Sequence, residues 1–529
     1  MMGCMFVFPS LDIQVRLHKR LPREFRPHRR LQFRVVIWLG WGVLAAFVAI
    51  ALFSYFTNPF VTLSLVRDEI AVQVIDGEQR VTDGSSPIVR DNRAARTLAF
   101  GKSAYHMIST LVGGGESIPG LTVDEIIASI HARRFSPSLP FLISGDHFSM
   151  IYPRSLGIFY HSLLDPRTSL GTQDWEHRQS MYLKTLTFAL AVYSETNQLS
   201  TTIVPLGPQG VVLINVYAPP SDTLYSLLYA LKILRSSDEL IARYPFASTT
   251  PAPTVKTDQA SRELLSKYQS TLQRHYQTYW TQVYDPVTGL VRRDIILSGT
   301  KDSVKRHAAF YDNVMLWKTT QLAGELNLIE RDDAWLSSLK ERILATFWDD
   351  QSGYFIEELG TLEEPKHAYS SDWLIAYQTG MLSADDPADR PYLERSVAYI
   401  QSQDLDQPFG LRFSNTSDTS DYYWPVKYGT PNYVTTAIWS HWGMEYAKLL
   451  THLALVTRQE LYLADAEHQI DAYTANIIRY QGFPEVYSSD GKIYENRFYR
   501  SVRATGWVVN FEQARAMVRA AKNGWAETK

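Results

Sequence analysis

Two carboxylates are set apart by their surroundings. Glu485 lies in Gly482-Phe483-Pro484-Glu485-Val486-Tyr487, a Gly/Pro turn between two long amphipathic patterns. Ser488-Ser489-Asp490-Gly491 follows it, and then the stretch from Arg503 to Trp507. Asp312 follows a tyrosine in Phe310-Tyr311-Asp312-Asn313, at the opening of a helical pattern. A turn between helices can aim an acid at the mouth of a bundle, and aromatic neighbours raise a carboxyl's pKa by excluding water. Two such groups about 6.5–9.5 Å apart suit one chemistry: one protonates a leaving oxygen while the other activates water on the opposite face of a sugar ring. Taken singly, each has a plainer reading. A Glu in a loop is an ordinary surface residue, and an Asp in a first helical turn is favoured by the helix dipole. Asp372, in Tyr369-Ser370-Ser371-Asp372-Trp373, is the next candidate for the acid, followed by Glu357 or Glu358. Ser370, Ser371 and Asp372 are also all good N-caps.

Other chemistries find less support. Cys4 is the only cysteine, which leaves no intrachain disulfide and no thiolate chemistry in the body. His147, His161, His307, His367 and His441 are dispersed, without a His-x-x-x-His pair, and read as core or hydrogen-bonding residues rather than metal ligands. No Gly-x-Ser-x-Gly, Walker-type or dinucleotide fingerprint occurs, and Gly113-Gly114-Gly115 lacks the Lys-Ser/Thr of a phosphate loop. No cofactor and no metal are expected. Asn415-Thr416-Ser417 matches a glycosylation acceptor.

The positioning elements are mostly helices. Apolar residues recur at helical spacing near Tyr105–Leu111, Val123–Arg133, Ser155–Leu164, Trp175–Thr196, Thr223–Leu234, Arg262–Val283, Tyr311–Leu326 and Ala334–Trp348. The pattern continues near Trp373–Met381, Tyr392–Gln403, Val434–Leu455, Leu461–Tyr480 and Val502–Ala521. One strand pair interrupts them, Thr201–Pro205 with Gly210–Ala218. An aromatic residue with an acidic/Gly turn recurs at Tyr284-Asp285…Gly289, Trp348-Asp349…Gly353 and Tyr487…Asp490-Gly491. Helix, turn, hairpin, helix in repetition points to helical hairpins arranged in a ring.

The chain has 529 residues, 45% hydrophobic and 20% charged, enough for a sizeable core. Aromatics reach 13%, with 31 Tyr and 13 Trp, which suits either a large core or a sugar cleft, since aromatic faces stack on pyranose rings. Residues 1–34 hold eight Lys/Arg against Asp12 and Glu24, leaving 44 basic and 53 acidic groups beyond them. A basic tail on an acidic body argues against nucleic acid as a partner. The uncharged run Val35–Thr57, with Trp38, Trp41 and Tyr55 at its ends, has the length of one membrane-spanning helix. The preceding arginines keep the N-terminus cytoplasmic, and Leu52-Phe53-Ser54-Tyr55-Phe56 makes a poor cleavage site. The expected order is a cytoplasmic tail (1–34), an uncleaved signal-anchor (35–57), a small linker of α+β character (58–140) and a body (141–529) outside the cytoplasm. No obligate protein partner is evident.

Four stretches, taken in order, resemble the inverting (α/α)6-barrel glycosidases of the trehalase, glucoamylase and processing α-glucosidase group. Ser144-Gly145-Asp146-His147-Phe148 through Tyr152-Pro153-Arg154 is similar to the family's early substrate-contact segment. Phe310-Tyr311-Asp312-Asn313 resembles the segment bearing the general acid, although some relatives use a similar Asp to bind sugar hydroxyls. Tyr422-Tyr423-Trp424-Pro425 with Asn432-Tyr433 resembles the stretch lining the sugar subsite. Glu485, with Trp507 downstream, is similar to the general base and the helix start after it. Where relatives carry Arg-Gly, this chain has Pro425-Val426-Lys427, so Lys427 or a distant Arg takes the cation's place. The resemblance spans roughly residues 140–525. It implies an (α/α)6 barrel with short β-hairpins, Glu485 as base and Asp312 as acid. It also implies substrate contacts from Asp146, Tyr152, Arg154, Tyr311, Trp317, Asp372, Trp373, Tyr423, Trp424, Lys427, Asn432, Tyr433 and Trp507. The expected function is cleavage of an oligo- or polysaccharide; a barrel that binds glycans without cutting them is the alternative. A lyase, a phosphorolytic enzyme or an epimerase is a smaller possibility.

Overall fold

The computed structural model describes four strands between residues 62 and 90 and then residues 105–527. Short interruptions fall within the second part, among them 136–140, 146–149, 206–210 and 239–256. The basic tail, the Val35–Thr57 run and Asp146 lie outside the described residues. No helix among the described residues is long and apolar enough to cross a membrane.

Among the described residues thirteen helices carry the body: α1 (Val123–Arg134), α2 (Arg154–Ile158), α3 (Thr172–Ser194), α4 (Thr223–Arg235), α5 (Asp258–Val283), α6 (Phe310–Glu325), α7 (Asp333–Phe347), α8 (Ile375–Gln378), α9 (Arg390–Ser402), α10 (Trp424–Gly429), α11 (Ser440–Thr457), α12 (Glu460–Tyr480) and α13 (Val508–Glu527). Local sequence explains several starts. Thr122 and Glu125 form a reciprocal capping box at α1. The Asp332 carboxylate caps α7 by accepting the Trp335 N–H at 2.8 Å.

Burial sorts the helices into two kinds. In α6, fourteen of sixteen residues are buried, and α4 and α11 are as deeply enclosed. In α7 only Leu336, Leu339, Ile343 and Phe347 are buried, a single stripe like those of α5, α9 and α12. The enclosed helices pack on one another in sequence. The order is α2 on α4, α4 on α6, α6 on α8, the 3-10 turn before α8 (Ser371–Leu374) on α11, and α11 on α13. Helix α13 then returns to the 3-10 turn His161–Leu164 that follows α2. The ring is closed. The single-stripe helices α5, α7, α9 and α12, together with the more deeply buried α3, run between successive inner helices, and α1 packs on α12 to complete the outer layer. This is the six-hairpin barrel that the sequence resembles.

The repeated aromatic and acidic/Gly turns are the expected hairpins. Tyr284–Asp285 pairs with Leu290–Val291, and Trp348–Asp349 with Tyr354–Phe355. Gly289 and Gly353 close the turns at φ of 68° and 80°, which L side chains rarely adopt. A four-stranded antiparallel sheet adds Thr62–Arg67, flanked by Ile88–Arg90 and Val211–Asn215, with Thr202–Pro205 at its edge. The expected strand pair is therefore part of a larger sheet.

Several expected helices start later than their patterns or break up, and Ser155–Leu164 is α2 followed by the 3-10 turn His161–Leu164. Val434–Leu455 becomes helical only at Ser440, because Ile438–Trp439 pairs as a strand with Val486–Tyr487. The last helix starts at Val508 rather than Val502. Trp373–Met381 is a 3-10 turn followed by one α-turn. A short apolar run bordering a helix reads the same in either state.

Candidate active site

Each inner helix is followed by an outer one that returns the chain, so the inner N-termini gather at one end of the barrel. Their partial positive charge suits anionic groups there. Asp222 sits at the residue before α4, without a side-chain capping hydrogen bond, Asp312 lies in the first turn of α6, and Asp372 lies in the 3-10 turn ahead of α8.

Glu485 reaches the same end by another route. Gln481 ends α12 in a left-handed conformation at φ 50°, and the chain then runs against the segment leading to α13. A Cβ on Gly482 would lie 2.4 Å from the Arg503 carbonyl oxygen, so only glycine passes there without displacement. The Glu485 N–H donates to Val502 O at 2.9 Å, and its carbonyl accepts from the Ser440 N–H at 3.0 Å. The Ser440 hydroxyl donates to Pro484 O at 2.6 Å. The backbone of Glu485 is thus clamped between the start of α11 and the segment leading to α13.

Its side chain is 5% exposed and lines a cavity of about 280 Å3. Tyr433 donates to Oε2 at 3.3 Å, and the Tyr499 hydroxyl lies 3.3 Å from that of Tyr433. Burial, with the Glu485 charge added, holds both phenols well above their ordinary range, so Tyr433 remains a donor. Trp507 and Phe159 stack at 4.2 Å, and Trp439 lies 6.1 Å from Trp507, forming an aromatic wall. The Trp507 indole N–H is buried and meets no acceptor among the described residues. Tyr152, Arg154, Ser144, Thr300 and Ser303 complete the polar side.

Asp312 does not line this cavity. It belongs to a buried cluster beside it, reached through Arg154. The Arg154 guanidinium donates to Gly299 O and lies 3.8 Å from the Asp222 carboxylate, which accepts from the Tyr311 hydroxyl at 3.0 Å. Arg306 donates to Asp372 at 2.6 Å and lies 3.5 Å from Glu357, and Glu357 also pairs with Lys301 at 2.5 Å. Asp312 is 2% exposed, with one carboxylate oxygen lacking a hydrogen-bond partner. Burial pushes its pKa up to about 6, against the pull of Arg306 and the Ser221 hydroxyl and with the charges of Asp222 and Asp372 adding to it. Burial likewise raises Glu357, opposed chiefly by Lys301 and Arg306. Glu358 accepts the His307 N–H at 2.7 Å.

The sequence candidates therefore fall into groups. Glu485, Tyr152, Arg154, Tyr433 and Trp507 share the cavity, while Asp312, Tyr311 and Asp372 share the adjoining cluster. Trp317 and Trp373 are core residues whose indole N–H groups donate to Leu336 O and the Tyr369 hydroxyl. Tyr423, Trp424, Lys427 and Asn432 lie on or beside α10, from which Val426 and Thr430 border the cavity. Asn432 holds a left-handed turn at φ 66°. Sequence reasoning missed Asp222, Arg306, Lys301, Trp439 and Tyr499. Pro219-Pro220-Ser221-Asp222 ahead of a helical run was a readable helix-start signal for Asp222.

No family model matches the chain, and no curated protein matches it. Solved structures similar to it include a mannosylglycerate hydrolase of family GH63 from Thermus thermophilus. That match has 11% identity and TM-score 0.44, and covers 75% of this chain and 99% of that one. The neutral trehalase of Saccharomyces cerevisiae matches at 13% identity and TM-score 0.45, over 72% of this chain and 75% of that one. A cellobiose 2-epimerase from Bacillus thermoamylovorans matches at 11% identity and TM-score 0.41, over 81% and 98%.

Proposed function

We propose that this chain is a membrane-anchored, extracytoplasmic glycoside hydrolase that inverts the anomeric centre, with Glu485 activating water and Asp312 supplying the proton. The observation that carries the reading is a buried carboxylate, clamped by backbone on both sides, facing into an aromatic-walled cavity with an unmet indole donor. Aromatic faces suit the C–H faces of a pyranose, and the polar side suits its hydroxyls. A carboxyl raised to about 6 keeps a proton available near neutral pH, as a general acid requires. Arg154 and Asp222 link that acid to the cavity.

One observation favours a second reading. Glu485 is the only carboxylate lining the cavity among the described residues, which suits a barrel that binds glycan without cutting it. The two readings separate on one variant. Glu485→Gln keeps shape and a hydrogen-bonding oxygen but cannot take a proton, so turnover should fall by about 10²–10⁴ while glycan binding survives. Proton NMR of the first product formed should show the inverted anomer. Hydrolysis of an identified substrate at the parent rate would remove Glu485 from the mechanism. A glycan panel that binds and is never cut makes the chain a binding protein.

A further inference from the structure

Three consecutive residues at the start of α11 each serve a different part of the cavity. Trp439 lines it, Ser440 holds the backbone around Glu485, and His441 lies behind the aromatic wall. The His441 ring meets Phe159 edge-on at 4.7 Å and Trp507 at 6.2 Å, the two rings whose stack lines the cavity. The acid–base chemistry leaves this histidine unused.

Its hydrogen bonds form a closed circuit. The Asn510 amide donates to His441 Nδ1 at 3.2 Å, which puts the ring proton on Nε2, where it is donated to Gln378 Oε1 at 3.3 Å. Asn510 also donates to Phe159 O at 3.0 Å, and Gln378 donates to Ile158 O at 2.6 Å. The circuit therefore runs from His441 to Gln378, along the Ile158–Phe159 backbone, and back through Asn510. It draws on α11, α8, the end of α2 and α13. The Asn510 backbone N–H donates to Trp507 O at 2.9 Å, so both partners of the stack are tied to the same residue. All three side chains are fully buried. Burial, with the Lys448 charge adding to it, holds His441 well below its ordinary range, so the imidazole is neutral. An imidazolium would have no acceptor for the Asn510 amide. A buried circuit with every bond made is rigid, and opening it is costly.

A stack held in this way presents a fixed apolar face to a sugar ring. Glu485 is held separately, by Ser440 and Val502. We propose that His441 is a positioning residue, which fixes the Phe159–Trp507 stack for the apolar face of a sugar and leaves the water-activating carboxylate to its own clamp. It acts on sugar binding rather than on the chemical step. The idea rests on the glycosidase reading and assigns one of its binding determinants.

The test opens the circuit in the full chain. His441→Phe keeps a ring and loses both hydrogen bonds, and Gln378→Met opens the circuit on its other side. His441→Asn keeps an oxygen near the Nδ1 position, and with it the bond from Asn510. Chains labelled with fluorotryptophan are read by fluorine NMR, the lines of Trp507 and of the core residue Trp317 being assigned from Trp507→Phe and Trp317→Phe. His441→Phe and Gln378→Met should each broaden the Trp507 line about twofold or split it, leaving that of Trp317 unchanged, and His441→Asn should restore most of the parent line shape. A Trp507 line left sharp by either opening variant overturns the proposal. Equal broadening of both lines makes His441 a general core residue and overturns it as well. On the substrate that serves for the Glu485→Gln comparison, His441→Phe should raise KM about tenfold and hold kcat within about twofold, since a lost stacking geometry weakens binding before it touches the base. A fall in kcat at unchanged KM overturns the assignment. In a chain that binds glycan without cutting it, Kd takes the place of KM. The fluorine spectrum needs no substrate, so a failure of the Glu485 assignment leaves that result intact.

Discussion

An acid that must hold its proton near neutral pH has to be kept from water, and Asp312 meets that condition at a cost to the fold. Its pKa of about 6 lies above the ordinary 3.8. The stability it contributes is therefore full below about pH 3.8 and lost as pH rises through 6. At pH 8 the ionised form costs up to about 3 kcal/mol. Asp312→Asn should accordingly raise the melting midpoint at pH 8, by an amount that shrinks toward zero near pH 4. The same variant should abolish the alkaline limb of kcat/KM near pH 6 if Asp312 is the proton donor. A midpoint shift that is the same at both pH values would show that Asp312 does not titrate in this range. Glu485 was legible because Gly482 and Pro484 declare a turn that no helix can absorb. Trp439 and Tyr499 were not, since an aromatic residue carries no local signal of whether it faces a core or a cavity.

The turn holding Glu485 owes its path to one missing side chain. Gly482→Ala would drive a Cβ into the Arg503 carbonyl, backbone against backbone, with no flexible atom to yield. A loss of about 1–3 kcal/mol in urea unfolding is expected, together with a fall in kcat larger than any change in KM, because the strain is relieved by moving Glu485. Unchanged kcat would mean that the clamp from Ser440 and Val502 fixes the carboxylate without help from the turn. Outer helices such as α5, α7, α9 and α12 were legible because each buries one stripe, and the Asp/Gly hairpins because Gly289 and Gly353 need φ values that few residues accept. Inner helices were less so. A helix buried on nearly every side, such as α6 or α11, loses the contrast from which periodicity is read. Residues 434–439 therefore merged with the helix that follows them. The pairing of Trp439 with Val486 is a long-range contact that no local pattern encodes.

Closing six hairpins into a ring leaves an interior that must be filled, and here part of the filling is ionic. Lys448 and Glu445, both 0% exposed, pair at 2.8 Å, with His161 at 4.0 Å from the same carboxylate. Lys448→Met removes the cation and should cost about 3–5 kcal/mol, whereas adding Glu445→Gln should return most of it. No difference between the single and double variants would mean that the pair is not coupled. Ring closure was implied by the repeat, but the residues that lock it were not readable, because they come from opposite ends of the chain. The Ser162 hydroxyl lies 2.5 Å from Asn510 Oδ1 and 2.8 Å from Gln513 Oε1, across some 350 positions of sequence. That seam has a consequence for biosynthesis. As the chain is made from its N-terminus, the first hairpin waits for the last, and Phe159 waits for Trp507, so the pocket cannot exist in any shorter nascent form. Apolar faces of the early hairpins stay uncovered for most of translation. Ribosome-stalled chains ending before residue 500 should remain bound to holding chaperones and sensitive to protease. Release should come in one late step, once α13 has emerged.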